Sequence, residues 1–93
     1  MKYEDLPLTK TPDRFELVVE GHTAFIEYEE DGDTIALIHT EVPPELGGKG
    51  VGPAIAEKTL QYAKDHGMKI VPICPFVQTY LKRHPKWENI VEK

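Results

Sequence analysis

The stretch from residue 38 to residue 54 reads Ile-His-Thr-Glu-Val-Pro-Pro-Glu-Leu-Gly-Gly-Lys-Gly-Val-Gly-Pro-Ala. A strand-like alternating pattern enters it, two prolines end that strand, four glycines fall within six positions, and an amphipathic helix pattern leaves it. Glycines let backbone N–H groups approach a ligand, and the first helical turn adds unpaired donors and a positive dipole end. This order of strand, glycine loop and helix N-terminus therefore predicts a site for a ligand that carries phosphate.

Three strands are predicted before this loop. Apolar and polar residues alternate over 14–20 and again over 23–30, and a third strand covers 33–42. Asp31-Gly32 is a strong hairpin signal between the last two. We therefore expect an antiparallel three-stranded meander.

A helix, a further strand and a second helix are predicted after the loop. The first helix has an apolar stripe and runs from about Pro53 to about His66. The short apolar run 69–74 suits a strand, although Pro72 within it indicates an edge, a bulge or a place where pairing has ended. The second helix starts at Pro75 and stops before Pro85. The tail that follows either adds a last strand or packs on the domain.

The chain as a whole predicts one small α+β domain over residues 1–93. Residues 1–13 carry scattered prolines without an apolar period, so they are a leader that is loosely ordered or lies along the edge of the domain. No segment is apolar enough to span a membrane, and the first residues have no signal-peptide character. Cys74 is the lone cysteine, which excludes paired-thiolate metal sites and favours a cytoplasmic, reducing location; we expect no metal.

The charge is distributed unevenly along the chain. The net charge of −5 argues against general nucleic-acid binding. Residues 1–46 hold 12 acidic and 3 basic side chains, whereas residues 47–93 hold 4 acidic and 8 basic ones. Either surface charges have segregated by chance, or a basic side attracts a polyanion and an acidic side attracts a cation.

Two familiar phosphate loops do not fit the glycines. A P-loop needs Ser or Thr after its lysine, and here Lys49 is followed by Gly50. A dinucleotide fold needs G-x-G-x-x-G in a βαβ unit, and the spacing differs. The remaining interpretation is a pyrophosphate loop of the acyl-CoA type.

The segment 46–52 after a strand resembles the acetyl-CoA motif of the GNAT N-acetyltransferases, and the order β-β-β-loop-α-β-α matches their core. Together with the segments 39–44, 74–77 and 80–85, it resembles the small, single-domain GNAT-like (YjdJ-type) N-acetyltransferases over roughly residues 15–87. The resemblance implies a GNAT-like acyl-CoA N-acyltransferase fold and acetyl-CoA, or coenzyme A, as co-substrate.

For cofactor binding, the resemblance implies that the backbone of Val42 holds the pantetheine arm and that the loop cradles the pyrophosphate. The candidate cofactor-binding residues are Val42, Gly47, Gly48, Lys49, Gly50, Val51, Gly52, Pro53, Phe76, Lys82 and Arg83, with Lys86 as a further candidate for the phosphates. Each of these cations is otherwise a solvated surface residue. Gly47 stands where the family usually has Gln or Arg, so the cradle is mostly backbone. The short chain implies an open acceptor side, which suits a protein amine.

Four residues are the catalytic candidates. Cys74 precedes a helix N-terminus, a setting that favours thiolate, and it either accepts the acetyl group or lines the pocket; an inert core cysteine is the alternative. His39 and Glu41 share a strand face, where the imidazole can serve as general base, or they are a surface pair. Tyr80 resembles the GNAT tyrosine that protonates the departing CoA thiolate, or it belongs to the core with Phe76.

Two functions follow from this interpretation. The first is an enzyme that transfers an acetyl group from acetyl-CoA to an amine acceptor such as a protein or peptide amine. The second is a module that binds acetyl-CoA or CoA, as a sensor, without turnover. Acceptor-dependent release of thiol distinguishes them.

Overall fold

The computed structural model describes residues 3–92, which form one five-stranded sheet and two α-helices. The order of elements confirms the predicted α+β architecture. The elements are β1 (Thr9–Lys10), β2 (Arg14–Val19), β3 (His22–Asp31), β4 (Thr34–Glu41), α1 (Val51–Asp65), β5 (Lys69–Pro72) and α2 (Pro75–Arg83), with 3₁₀ turns at Pro44–Leu46 and Pro85–Ile90.

The strands lie in the order β1-β2-β3-β4-β5. The first four are antiparallel, so β2, β3 and β4 form the predicted meander, and β1 extends it at the edge within the leader. β5 pairs with β4 in parallel, because α1 carries the chain back between them. The sheet is therefore mixed, with four antiparallel strands and β5 added in parallel at one edge.

One face of the sheet carries the core. Phe15 and Leu17 of β2, Ile26 of β3 and Leu37 of β4 are fully buried, and the buried side chains of both helices join them in one cluster. The other face is open to solvent to varying degrees, and Val18 there is 54% exposed. In each strand pattern, the buried apolar residues thus point to the helix-covered face and the residues between them point to the open face.

A single-residue bulge interrupts β4 at Ile38. Leu37 lies opposite Tyr28, and His39 lies opposite Glu27, so Ile38 is the extra residue. After the bulge, Thr40 lies opposite the buried Ile26. Strict alternation from Leu37 would have put His39 on the core face; the bulge puts Thr40 there and turns His39 to the open face.

α1 begins two residues earlier than predicted, at Val51 rather than at Pro53. Gly50 adopts a left-handed conformation (φ 77°) as the N-cap, and its carbonyl accepts the N–H of Ala54 at 3.2 Å, which brings Val51 and Gly52 into the first turn. The helix ends at Asp65, one residue before the predicted end.

The tail combines both of its predicted alternatives. Trp87 and Ile90 of the second 3₁₀ turn are buried in the core. Val91 then forms one parallel bridge with Ile70, and the N–H of Glu92 donates to the Ile70 carbonyl at 2.8 Å. The tail therefore packs on the domain and also touches the outer edge of β5.

Glu57 joins α1, α2 and the tail. Its carboxylate accepts hydrogen bonds from the Tyr80 hydroxyl, from Trp87 Nε1 at 3.0 Å and from Lys86 Nζ at 2.9 Å. Burial alone would raise the pKa of Glu57, but these three donors outweigh it and lower the pKa. The charged form of Glu57 thus holds the two helices together.

We expect Glu57→Gln to lower the free energy of unfolding at neutral pH by about 1–3 kcal/mol, because its donors lose a charged acceptor. The folded pKa of Glu57 is depressed, so this contribution is present above the ordinary carboxyl pKa and is lost as the pH falls through the folded value. The difference between the two proteins should therefore shrink in acid. Urea unfolding at neutral pH and at about pH 3 measures it.

The matched control is Glu29→Gln, a change at an exposed position of β3, which should stay within about 0.5 kcal/mol of the parent at neutral pH. A difference for Glu57→Gln that persists undiminished into acid would contradict the assignment.

Candidate functional site

A gap opens between the two parallel strands. Pairing runs from Thr34 opposite Lys69 to Leu37 opposite Pro72. The Leu37 carbonyl then accepts both the N–H of Ile73, at 3.0 Å, and that of Cys74, at 2.8 Å. Beyond this point β4 pairs only with β3 among residues 3–92, which leaves its other edge unpaired over 38–41. The N–H groups of Lys69 and Ile73 donate toward β4, so an N–H at position 72 would face the outer edge, and Pro72 removes no bond to β4. The chain diverges from β4 directly after Ile73, close to the proline where the sequence predicted that pairing ends.

The glycine loop lies at the wide end of this gap. Gly48 and Gly50 have φ angles of 75° and 77°, which L side chains rarely adopt. Within residues 3–92, no hydrogen bond uses the N–H groups of Gly48, Gly50, Val51 or Gly52. The Tyr3 hydroxyl restrains the loop by donating a hydrogen bond to the Lys49 carbonyl at 2.9 Å. The loop therefore presents four backbone donors at a helix N-terminus.

Phe76 and Val42 frame the entrance to the loop. A Cβ atom on Gly52 would stand 3.0 Å from Phe76 Cζ and 3.7 Å from Val42 Cγ2. Phe76 remains 37% exposed, so its ring covers the first turn of α1 from the solvent side. Position 52 therefore favours a residue without a Cβ atom, because Phe76 of α2 packs over α1 at this point.

Cys74 lies at the closed end of the gap, immediately before α2. Its backbone is held at both ends: its N–H donates to Leu37, and its carbonyl accepts the N–H of Gln78 at 3.0 Å. The thiol is 3% exposed, and Sγ lies 3.3 Å from the Thr40 hydroxyl. The sequence interpretation assigned no role to Thr40, since a bulge of one residue leaves no signal in a two-residue period.

His39 and Glu41 lie together on the open face of the sheet. His39 Nε2 is 3.3 Å from Glu41 Oε1, and the His39 ring meets Phe25 edge-on with centroids 6.5 Å apart. Both side chains are about half exposed. The prediction that His39 and Glu41 share one face of the strand is confirmed. The pair lies beside the unpaired edge of β4 on the open face of the sheet, whereas Cys74 lies beside the same edge on the core face.

Tyr80 points into the interface between the helices. It is 6% exposed, it donates to Glu57, and it stacks on His84 with ring centroids 4.0 Å apart. Burial, followed by the hydrogen bond to Glu57, raises the pKa of Tyr80, so the hydroxyl keeps its proton. The role of Tyr80 as a proton donor to CoA stays a prediction.

The candidate phosphate-binding cations are dispersed. Lys49 Nζ forms an exposed ion pair with Glu20 at 2.8 Å. Lys86 is paired with Glu57. Lys82 and Arg83 occupy the last turn of α2, about 9 Å or more along the helix axis from Phe76. The part of the cradle that the structure assembles is therefore backbone.

The described residues limit other chemistry in two respects. Within 3–92, no three His, Cys, Asp or Glu side chains lie close enough together to hold a metal ion. In the same range, neither helix has the length and apolar character needed to cross a bilayer.

The fold and this site define the class of protein. The NMR solution structure of a GCN5-like protein from Staphylococcus aureus superposes with a TM-score of 0.71 at 26% identity, covering 96% of this chain and 90% of that one. The fold is therefore that of the GCN5-like N-acetyltransferases. The sequence profile of the GCN5-related N-acetyl-transferase family matches residues 14–90, and the chain belongs to that family.

Two relatives show how far the similarity extends. Protein NATD1 of Homo sapiens is 33% identical over 63 residues, which is 67% of this chain and 56% of the relative. Protein NATD1 of Xenopus tropicalis is 32% identical over 52 residues, which is 56% of this chain and 48% of the relative. The chain thus spans about half the length of these relatives.

The close approach of Phe76 to Gly52 predicts an energetic coupling. In a double-mutant cycle, Gly52→Ala should be less favourable beside Phe76 than in a Phe76→Ala background, by about 0.5–1 kcal/mol, because the added Cβ meets the ring. Urea unfolding of the four proteins measures this. Leu81→Ala on the same helix is the control and should be additive with Gly52→Ala. Additivity with Phe76→Ala would show that the ring does not lie over Gly52.

Proposed function

We propose that this protein transfers an acetyl group from acetyl-CoA to an amine. The observation that carries the proposal is the gap between β4 and β5, with four backbone donors at its wide end and a thiol at its closed end. The family supports acetyl-CoA as the donor. The lone cysteine suits a reducing, cytoplasmic location.

The glycine loop would bind the pyrophosphate of CoA. The N–H groups of Gly48, Gly50, Val51 and Gly52 have no protein acceptor among residues 3–92 and lie in or just before the first turn of α1, where the helix dipole favours an anion. Gly47 contributes no side chain, and Lys49 would have to leave Glu20 to reach a phosphate. The backbone would therefore supply most of the affinity.

The unpaired edge of β4 would bind the pantetheine arm. Backbone groups between Ile38 and Val42 face a space that no strand of residues 3–92 fills, and an amide-bearing arm can pair with them as a strand would. Phe76 and Val42 would line the entrance to this channel. An arm held there leads from the glycine loop toward Cys74, which brings the thioester to the thiol.

The chemistry can follow a relay or a direct attack. In the relay, Cys74 sulfur bonds to the acetyl carbon, the bond from that carbon to the CoA sulfur breaks, and CoA leaves as a thiolate that takes up a proton. An amine nitrogen then attacks the acetyl carbon, and the Cys74 thiolate is restored. In direct attack the amine meets the thioester itself, and Cys74 lines the pocket.

His39 would take the proton from the acceptor in either route. An ammonium group must lose a proton before its nitrogen can attack, and a half-exposed imidazole beside Glu41 suits that step. The open face next to His39 carries Glu16, Glu27 and Glu41 together with the cation Arg14, so the net negative charge of these four side chains favours a cationic amine. A protein or peptide amine fits because no helix covers this face among the described residues.

Titration calorimetry with CoA tests the binding site. We expect binding near the micromolar range, about −8 kcal/mol. Gly50→Ala should weaken it about tenfold, because alanine resists the left-handed conformation that aims the loop donors. Gly32→Ala is the matched control: Gly32 also has a positive φ, of 60°, but it lies in the β3–β4 hairpin, so binding should not change. No heat with millimolar CoA would refute the proposal.

Intact-protein mass spectrometry tests the relay. After mixing with acetyl-CoA, one acetyl adduct should form, and Cys74→Ala should abolish it. His39→Ala should still form the adduct but should pass it to a lysine peptide at least tenfold more slowly, a loss within the range of general-base effects. If no adduct accumulates and Cys74→Ala keeps full turnover, direct attack is the route. CoA binding without thiol release for any amine would indicate a binding module instead.

A further inference from the structure

The bulge at Ile38 brings the Thr40 side chain to Cys74. Thr40 lies opposite the buried Ile26, on the core side of β4, while its chain neighbours His39 and Glu41 face the other way. Its Oγ1 atom is 3.3 Å from Cys74 Sγ, across the point where β4 and β5 separate. A strand without the bulge would have placed Thr40 on the open face, away from the thiol.

We propose that Thr40 is a positioning residue for Cys74: its hydroxyl donates a hydrogen bond to Sγ and holds the reactive form of the thiol at the closed end of the gap. This inference rests on the acetyltransfer function proposed above and extends it to a side chain that the proposed reaction steps do not use. The geometry places a hydroxyl on β4 within hydrogen-bond distance of the sulfur at the start of α2. Either atom can donate while the thiol is protonated, and only the hydroxyl can donate to a thiolate.

The backbone of Cys74 is already fixed, so the remaining freedom is in its side chain. Hydrogen bonds to Leu37 and Gln78 set the position of the Cys74 Cα atom, and rotation about the Cα–Cβ bond decides where Sγ points. Threonine is stiff about its own first side-chain bond, so its hydroxyl is a well-defined partner. One hydrogen bond can therefore select one orientation of the thiol.

The chemical identity of Thr40 matters more than its shape. The site is half buried beside Ile26, where valine would fill the same volume without a polar group. Burying a hydroxyl is unfavourable unless it finds a partner. A hydroxyl donor strengthens when its acceptor becomes a thiolate, because the bond is then charge-assisted. The contact can therefore hold Sγ in one orientation during the reaction as well as before it.

Alkylation of the ligand-free protein with iodoacetamide tests this, since Cys74 is the only cysteine and the reaction reports its thiolate. At neutral pH we expect Thr40→Val to slow alkylation by about threefold to tenfold, the range that one lost hydrogen bond gives. Thr40→Ser keeps the hydroxyl and should restore the parent rate to within about twofold. Thr23→Val, an exposed threonine of β3, is the control and should leave the rate unchanged.

A change in packing alone would not give a slow alkylation rate for Thr40→Val and a restored rate for Thr40→Ser. Ultraviolet absorbance of the thiolate, taken against Cys74→Ala, gives a second readout that needs no access for the reagent. If Thr40→Val does not fold, Thr40→Ala removes the hydroxyl as well. An unchanged or faster rate without the hydroxyl, or a serine variant as slow as the valine one, would overturn the proposal. Because no CoA is present, this result is independent of whether the protein transfers acetyl groups.

Discussion

The end of the pairing between β4 and β5 is the constraint on which the site depends. The Leu37 carbonyl accepts the N–H groups of both Ile73 and Cys74, which ends the ladder and turns the chain away from the sheet into α2. That turn frees the edge of β4, fixes the backbone of Cys74 and starts the helix that carries Phe76. A continuous parallel ladder would have closed the gap in which we propose that the acyl donor binds.

Contacts at two places hold α1 and α2 together. Near the gap, Phe76 lies against Gly52, and farther along α1 the Glu57 carboxylate binds Tyr80 and Trp87. Burial of this partly exposed carboxylate opposes its charged form, but its three donors favour that form more strongly, which explains its lowered pKa. Tyr80 thus helps to hold α2 against α1. The sequence had allowed such a core role for Tyr80, because Tyr80 and Phe76 share one face of the helix.

The two faces of the sheet separate the residues to which the proposed function gives different roles. Helices cover one face, where the glycine loop and Cys74 lie, and the other face presents His39 and Glu41 to solvent. Both groups border the same unpaired segment of β4, so a donor held from one side can meet an acceptor from the other. The uneven charge along the chain agrees with this division only in part, because Lys49 and Lys86 are engaged in ion pairs.

Local patterns by themselves determined the elements, because they depend on neighbours in the chain: the two-residue period of β2 to β4, the apolar stripe of α1, and the prolines and glycines that end strands and open the loop. They also determined that the loop presents backbone donors and that His39 and Glu41 share a face. Only the tertiary structure decided that Thr40 meets Cys74, because one extra residue at Ile38 changes which face each side chain takes. It alone also gave Glu57 its partners, since Tyr80 and Trp87 lie 23 and 30 positions away and meet it only when α1, α2 and the tail pack together.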